Sequence, residues 1–186
     1  MDTQWFLGFV EGEGCFNISF MRHKSNKFGY QPRAMFIIKL TQSEKEVIEK
    51  IRDFLGGIGN IYLESSESTR RIGLKNARDC VSIRVTKLEE LERIIKLLKD
   101  ETFVSKQKRR DFENWARCIQ LLKDKKHLEI EGFIEIARLR ENMHTRKQVN
   151  KKGFCEIRNH IDRCEVYIKE QIIPKSCNIC YTCPPS

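Results

Sequence analysis

Apolar and polar residues alternate with a period of two in several short segments of the chain. Residues 15–24 and 33–41 show this alternation, and residues 60–65 and 79–85 repeat it. The apolar positions of the first two segments are Phe16, Ile18, Phe20, Phe36, Ile38 and Leu40. A period of two is typical of half-buried β-strands, so the pattern predicts four strands.

Helical patterns precede, separate and follow these strands. A capping box at Ser43 and Glu46 predicts a helix that ends before Gly56, and a box at Thr86 and Glu89 predicts another. With the apolar opening segment in front, the order becomes α-β-β-α-β-β-α. We therefore expect an α+β fold in which helices back a four-stranded antiparallel sheet.

The chain continues in a helical pattern beyond residue 104. Apolar residues between positions 112 and 139 recur at helical spacing, which predicts a C-terminal helical extension of the core. With 186 residues, 40% of them hydrophobic, the chain can bury one sizeable core. We predict a domain over residues 1–150 and a cysteine-rich extension over residues 151–186.

Positive charge is concentrated in three stretches that contain no acidic residue. The chain has 35 Lys and Arg against 26 Asp and Glu, a net charge of +9, and the acid-free stretches are residues 14–43, 68–78 and 102–110. This zoning indicates one basic surface and a polyanionic partner.

The sheet face opposite the helices is expected to be polar and basic. Strand parity assigns to this face Asn17, Ser19, Arg33, Lys39, Ser82 and Arg84. Such a face can lie in a DNA groove and read base edges, while basic loop residues contact phosphates. The loop residues expected at phosphates are Lys24, Lys27, Arg70, Arg71 and Lys75. The alternative is that the face consists of ordinary solvated strand residues.

The opening stretch WFLGFVEGEGCF, residues 5–16, combines a short apolar helix with two carboxylates. Gly8 and Gly12 lie four apart on one helix face, where the same helix of a second subunit could approach closely. Two-fold symmetry would bring two Glu13 carboxylates together, and a cation between them relieves their repulsion. Hard oxygen ligands beside a DNA-binding face fit Mg²⁺. The alternative is that Glu11 and Glu13 are ordinary helix-end carboxylates.

The residues FLGFVEGEGCF closely resemble the signature of the LAGLIDADG homing endonucleases, a glycine-containing apolar helix that ends in two acids separated by one small residue. The predicted order of elements also resembles that family's fold, so the likeness covers residues 3–122. The motif occurs once, as in the single-motif branch that acts as a homodimer. The resemblance implies an intron-encoded enzyme that cleaves both strands of a long pseudo-palindromic DNA site.

The resemblance also implies roles for individual residues. Glu13 and the backbone carbonyl of Gly12 correspond to metal ligands, and Gln42 to a polar residue that positions water. Lys106, in the sequence SKQK, corresponds to a lysine that assists the reaction. The basic partner usual in the turn after Gln42 stays open, because Lys45 there is flanked by two acids.

Two other functions remain open at this point. Proteins of this family sometimes act as RNA maturases that help their host intron to splice, and a basic surface does not distinguish RNA from DNA. A non-catalytic DNA-binding regulator is the third alternative, although it would not need Glu13 and Lys106 together.

Five of the eight cysteines crowd the tail, namely Cys155, Cys164, Cys177, Cys180 and Cys183. They favour a disulfide-stapled extension, with structural zinc completed by His160 or Cys164, or free thiols, as alternatives. Cys15, Cys80 and Cys118 are expected to be small, mostly buried thiols. Disulfides together with abundant Lys, Glu and Ile favour an archaeal cytoplasm over an organelle. No targeting or membrane segment is apparent, so we expect an intracellular protein.

Overall fold

Helices and strands follow one another in the predicted order in the computed structural model, which describes residues 1–23, 25–71 and 76–143. The helices are α1 Thr3–Glu13, α2 Lys45–Phe54, α3 Glu67–Arg71, α4 Leu88–Leu98, α5 Lys106–Lys123 and α6 Ile130–Glu141. The strands are β1 Gly14–Arg22, β2 Tyr30–Thr41, β3 Asn60–Glu64 and β4 Cys80–Val85. The order α-β-β-α-β-β-α is confirmed, with the short α3 added between β3 and β4.

The four strands form one antiparallel sheet in the order β1-β2-β4-β3, as expected. Cys15 pairs with Ile37, Ile37 also pairs with Arg84, and Arg84 pairs with Asn60. Directly paired residues point to the same side of a sheet, so these pairs define one face across all four strands. The other face packs against the helices.

The core lies between the sheet and the helical layer. Phe16 on β1, Phe36 on β2 and Trp115 on α5 are fully buried, with ring centroids 5.0–6.3 Å apart. The indole Nε1 of Trp115 also donates to the carbonyl of Met35, 3.1 Å away. Met35 comes one residue before Phe36, the first residue of β2 that pairs with β4. The Met35 carbonyl therefore receives its hydrogen bond from α5.

Both predicted capping boxes are wrong. Strand β2 runs through Thr41 and a 3₁₀ turn follows at Gln42–Glu44, so α2 begins only at Lys45 and has no side-chain cap. The Ser43 hydroxyl instead hydrogen-bonds to the hydroxyl of Thr41, at 3.0 Å. Helix α4 begins at Leu88, also without a side-chain cap. In both places the strand ends at the predicted residue, Thr41 or Val85, and the helix begins later than the capping box would place it.

The helical continuation after the core is confirmed by α5 and α6. The predicted domain boundary between residues 150 and 151 lies outside the described residues. Within the described part of the chain, no helix is long and apolar enough to cross a membrane.

Candidate active site and nucleic-acid interface

The two acids at the end of α1 have different environments. The Oε1 atom of Glu11 accepts a hydrogen bond from the backbone N–H of Ser105, the residue just before α5, at 3.0 Å. Glu11 therefore contacts its own chain, as an ordinary helix-end carboxylate does. Glu13 is exposed, and its side chain makes no hydrogen bond or ion pair with another residue in the described ranges.

A second contact fixes the chain on the other side of Glu13. The Nζ atom of Lys108 donates to the carbonyl of Gly14 at 2.6 Å. Gly14 is buried, its N–H donates to the carbonyl of Val10, and a Cβ atom at this position would lie 2.7 Å from that oxygen. Only glycine fits this close approach, so the turn from α1 into β1 is sterically and electrostatically fixed.

The oxygen atoms at this junction suit a hard divalent cation. Glu13 offers a free carboxylate, and the last carbonyls of α1, including that of Gly12, lie at the negative end of the helix dipole. Among the described residues no three His, Cys, Asp or Glu side chains form a cluster. This chain therefore offers a partial ligand set, which fits Mg²⁺ because that ion retains water and phosphate ligands.

The other two predicted catalytic residues are exposed near element ends. Gln42 follows β2 directly, and its backbone N–H donates to the Asp79 carbonyl at 2.9 Å. Lys106 is the first residue of α5, one position after the Ser105 that contacts Glu11. Neither side chain hydrogen-bonds to Glu13 within the described ranges. Lys45, the basic residue in the following turn, pairs with Glu49 at 3.0 Å.

The sequence did not single out Lys108, although it lies two residues after Lys106 in SKQK. Its role depends on α5 meeting the α1–β1 junction, a contact between residues 94 positions apart. The proximity of Lys108 also opposes the rise that burial causes in the pKa of the Cys15 thiol.

The predicted parity of the sheet face is confirmed for all six residues, and five of them are partly or fully exposed as expected. Asn17 and Ser19 on β1, Arg33 and Lys39 on β2, and Arg84 on β4 lie at partly or fully exposed positions opposite the core. The sixth prediction, exposed Ser82, is wrong because its exposure is 0%. Ser82 has the expected parity, but it lies between Lys39 and Tyr62 on the neighbouring strands, and its hydroxyl hydrogen-bonds to Glu64 and Arg84.

An acidic residue that the sequence did not single out organises this part of the sheet. Glu64, at the end of β3, accepts from Lys39 Nζ at 2.6 Å and from the Ser82 hydroxyl at 2.9 Å, and it pairs with Arg84. The guanidinium of Arg84 lies 4.9 Å from the centre of the Tyr62 ring. The hydrogen bond from Lys39, followed by that from Ser82, lowers the pKa of Glu64 to about 2.

The loop residues predicted at phosphates are only partly described. Lys27 is exposed, with its Nζ 5.4 Å from the centre of the Phe28 ring. Arg70 lies 3.5 Å from Asp79, and Arg71 pairs with Glu67. These two arginines are therefore partly neutralised by local acids. Lys24 and Lys75 lie outside the described residues.

The described cysteines are free thiols. Cys118 is buried, as expected, and burial raises the pKa of its thiol to about 12. Cys15 and Cys80 are partly exposed. The tail residues Cys155, Cys164, Cys177, Cys180 and Cys183 lie outside the described part of the chain, so their disulfide or zinc state remains a prediction.

Comparison with known protein sequences gives a consistent family. Residues 6–119 match the family model described as LAGLIDADG endonuclease. Probable intron-encoded endonuclease 3 of Neurospora crassa is 29% identical over 74% of this chain and 24% of its own length. An uncharacterized 50.9 kDa protein in ND4 intron 1 of Podospora anserina is 32% identical over 67% and 25%. The chain thus spans about a quarter of these relatives, and their fungal origin does not support the archaeal expectation.

Two solved structures share the fold. The homing endonuclease I-TnaI superposes with a TM-score of 0.68 at 23% identity, covering 88% of this chain and 99% of that one. The I-SmaMI LAGLIDADG homing endonuclease, bound to cleaved DNA, superposes with a TM-score of 0.71 at 18% identity, covering 88% and 49%. At this identity the likeness establishes the fold alone, and one copy of this chain corresponds to about half of I-SmaMI.

Proposed function

The chain belongs to the LAGLIDADG endonuclease family, to whose model residues 6–119 match, and from that premise we propose that it is a site-specific DNA endonuclease. The proposed reaction is metal-dependent hydrolysis of both strands of a long pseudo-palindromic site by a homodimer. The observation that carries the proposal is the Glu13 carboxylate, which has no partner among the described residues while Glu11 and Gly14 on either side are hydrogen-bonded to the start of α5.

In this proposal Glu13 and the Gly12 carbonyl hold a divalent cation, with Mg²⁺ the expected ion. When bound, the ion supplies positive charge that stabilises the phosphoryl group under attack. Gln42 orients water beside the scissile phosphate, and the Lys106 ammonium offsets negative charge that develops there. The contacts of Glu11 and Lys108 hold the junction in place, so Glu13 does not need a hydrogen bond of its own for orientation.

The basic sheet face is the proposed DNA-binding surface. Arg33, Lys39 and Arg84 lie on it, together with Asn17 and Ser19. The similar fold of I-SmaMI, which is bound to cleaved DNA, supports this choice of partner. Loop residues would contribute phosphate contacts, and these make affinity dependent on salt. The predicted loop contacts are Lys24, Lys27, Arg70, Arg71 and Lys75.

Dimerisation through α1 would complete the enzyme. Gly8 and Gly12 are exposed, and a Cβ atom at either would meet nothing within 4 Å in this chain, so the helix face is open to a partner. The I-SmaMI chain is about twice as long as the region that matches this chain, so a second copy of this chain would bring the assembly to a comparable size. A pseudo-palindromic DNA site is the natural substrate of a two-fold symmetric pair. The intron-encoded relatives favour a host intron, and an organelle is compatible with them.

A cleavage assay tests this function. A plasmid carrying the intron-free insertion locus should be linearised when Mg²⁺ is present and remain intact without a divalent cation. The matched control is the same locus interrupted by the intron, which should resist cleavage because the two half-sites are separated. Absence of cleavage with faster splicing of the host intron RNA would instead favour a maturase. Specific DNA binding without either activity would favour a regulator.

A further inference from the structure

Glu64 is the only acidic residue at an outward position of the four strands, all of which are fully described. It ends the edge strand β3 and lies on the face that also carries Arg33, Lys39 and Arg84. A carboxylate on a surface that meets phosphates opposes binding through like-charge repulsion. Its presence there calls for a role other than affinity.

The contacts of Glu64 join three of the four strands. Its Oε2 atom accepts from Lys39 Nζ on β2 at 2.6 Å, and its Oε1 atom accepts from the Ser82 hydroxyl on β4 at 2.9 Å. Arg84, also on β4, donates to Oε1 through Nη2 and to the Ser82 hydroxyl through Nε at 3.3 Å. Both carboxylate oxygens are therefore engaged, and the two basic side chains bond to the same carboxylate.

The consequence for DNA binding follows from the reach of these side chains. A free lysine or arginine can turn towards any nearby phosphate, and such contacts carry no sequence information. Lys39 and Arg84 are held by Glu64, and Tyr62 lies beneath the Arg84 guanidinium. Side chains fixed before binding lose less rotamer entropy when they meet a base edge in the groove, so a matching base gains relative to arbitrary sequence.

We propose that Glu64 is a specificity-determining residue that holds Lys39 and Arg84 for contact with base edges and lowers affinity for arbitrary duplex. This inference rests on the DNA-binding function proposed above. Arg33 offers an internal contrast, because it donates to the neutral Gln31 amide at 3.2 Å. Glu64 thus acts on the β3–β4 half of the face and on Lys39 near the end of β2, whereas Arg33, nearer the start of β2, has no acidic partner among the described residues.

The test compares Glu64→Gln with Glu92→Gln. Glu92 pairs with Lys123 at 2.5 Å, and Glu64 pairs with Lys39 at 2.6 Å. The two glutamate side chains are similarly exposed, at 27% for Glu92 and 29% for Glu64. Glu92 lies on α4, in the helical layer, so the two variants change net charge equally on different sides of the molecule. Binding is measured on a randomised duplex library at several salt concentrations, and the recovered sequences are compared with the input.

For Glu64→Gln we expect tighter binding to the unselected library, a salt slope steeper by about one, and preference for the wild-type target reduced about tenfold. Glu92→Gln should match the wild type in target preference. Glu64→Asp keeps the charge but shortens the reach, so it should lower preference without steepening the slope. This second variant decides the question if Glu64→Gln does not fold, as judged by its thermal unfolding.

Three results would overturn the inference. Equal behaviour of Glu64→Gln and Glu92→Gln would show that position does not matter, and weaker binding of folded Glu64→Gln to all sequences would show that Glu64 supports affinity. Unchanged preference in both Glu64→Gln and Glu64→Asp would also contradict the proposed role. A wild-type protein that binds no duplex would instead refute the proposed function and this inference together, so the two failures are distinguishable.

Discussion

The α1–β1 junction and the β3–β4 half of the sheet face handle charged side chains in opposite ways. At the junction, Glu11 and Lys108 bond to backbone groups, and the Glu13 side chain makes no hydrogen bond or ion pair with a described residue. On the sheet face, Glu64 and Arg84 bond to other side chains, and each carries a partner of opposite charge. The α1–β1 junction thus fixes the backbone on both sides of an unpaired carboxylate, whereas the sheet face pairs its acidic and basic side chains with one another.

The difference corresponds to what each region is proposed to bind. A carboxylate that must hold a cation is most effective without a competing ammonium or guanidinium beside it. Side chains that must distinguish bases benefit from fixed geometry, even when pairing reduces their attraction to phosphates. On the proposed function, the junction therefore fixes the neighbours of the cation-binding acid, and the sheet face pairs the side chains that read bases.

The largest effect is expected from neutralising Glu13, the second acid of the motif. Glu13→Gln should lower cleavage by more than ~100-fold, because it removes the charge that holds the cation. DNA binding and thermal stability should stay close to wild type, since the Glu13 side chain is exposed and makes no hydrogen bond or ion pair with a described residue. Single-turnover cleavage and thermal unfolding would be measured together.

Glu11→Gln is the matched control for that experiment. It preserves side-chain size but weakens the hydrogen bond to Ser105, so it should lower stability by about 1 kcal/mol and reduce cleavage less. If Glu11→Gln abolished cleavage while Glu13→Gln remained active, the assignment of the two acids would be reversed.

The next largest effect concerns the open face of α1. Gly8→Leu should dissociate the proposed dimer without unfolding the chain, since a Cβ atom at Gly8 meets nothing within 4 Å. Within one subunit there is room for a side chain at Gly8 and at Gly12, so glycine is needed at these positions only for the proposed contact with a second subunit. Gly8→Ala is the control, and its higher helix propensity should stabilise the monomer by about 1 kcal/mol. Sedimentation velocity would show an unchanged dimer for Gly8→Leu if this interface were wrong.

A third comparison separates two lysines of the same helical turn. Lys108→Met should lower the free energy of unfolding by about 2 kcal/mol, because the buried Gly14 carbonyl loses a charged donor. Lys106→Met should change stability by less than about 0.5 kcal/mol, since Lys106 is exposed, but it should slow cleavage. Chemical unfolding and cleavage rates for both variants would decide it. Equal loss of stability would mean that the backbone-fixing role is not specific to Lys108.

The sequence predicted the order of elements because strand periodicity depends only on neighbouring residues. Parity likewise predicted the outward position of Lys39 correctly. The burial of Ser82 depends on the register that sets Lys39 and Tyr62 on either side of it, which a single strand does not reveal. The pairing of Glu64 with Lys39, 25 residues away, has the same origin. The capping boxes failed although both strands end where predicted, because a 3₁₀ turn at Gln42–Glu44 delays the start of α2 and because α4 begins only at Leu88, so neither Ser43 nor Thr86 is the N-cap residue.

The smallest effect is the pH dependence of the stability that Glu64 contributes. The pKa of the Glu64 carboxyl in the folded protein, about 2, lies below the ordinary 4.5, so folding favours the ionised form. The resulting stability is fully present above pH 4.5 and is lost as the pH falls from about 4.5 to 2. Its magnitude should be about 1 kcal/mol, because the pair is partly exposed to solvent. Urea unfolding of the wild type and Glu64→Gln should therefore differ most near neutral pH and converge in acid.

Since the hydrogen bond from Lys39 is the largest cause of the pKa shift of Glu64, Lys39→Met should raise the titration midpoint of the Glu64 carboxyl carbon in an NMR experiment. An unchanged midpoint in that variant would show that the carboxylate does not depend on its lysine partner, and the contrast with the free Glu13 would then lose its physical basis.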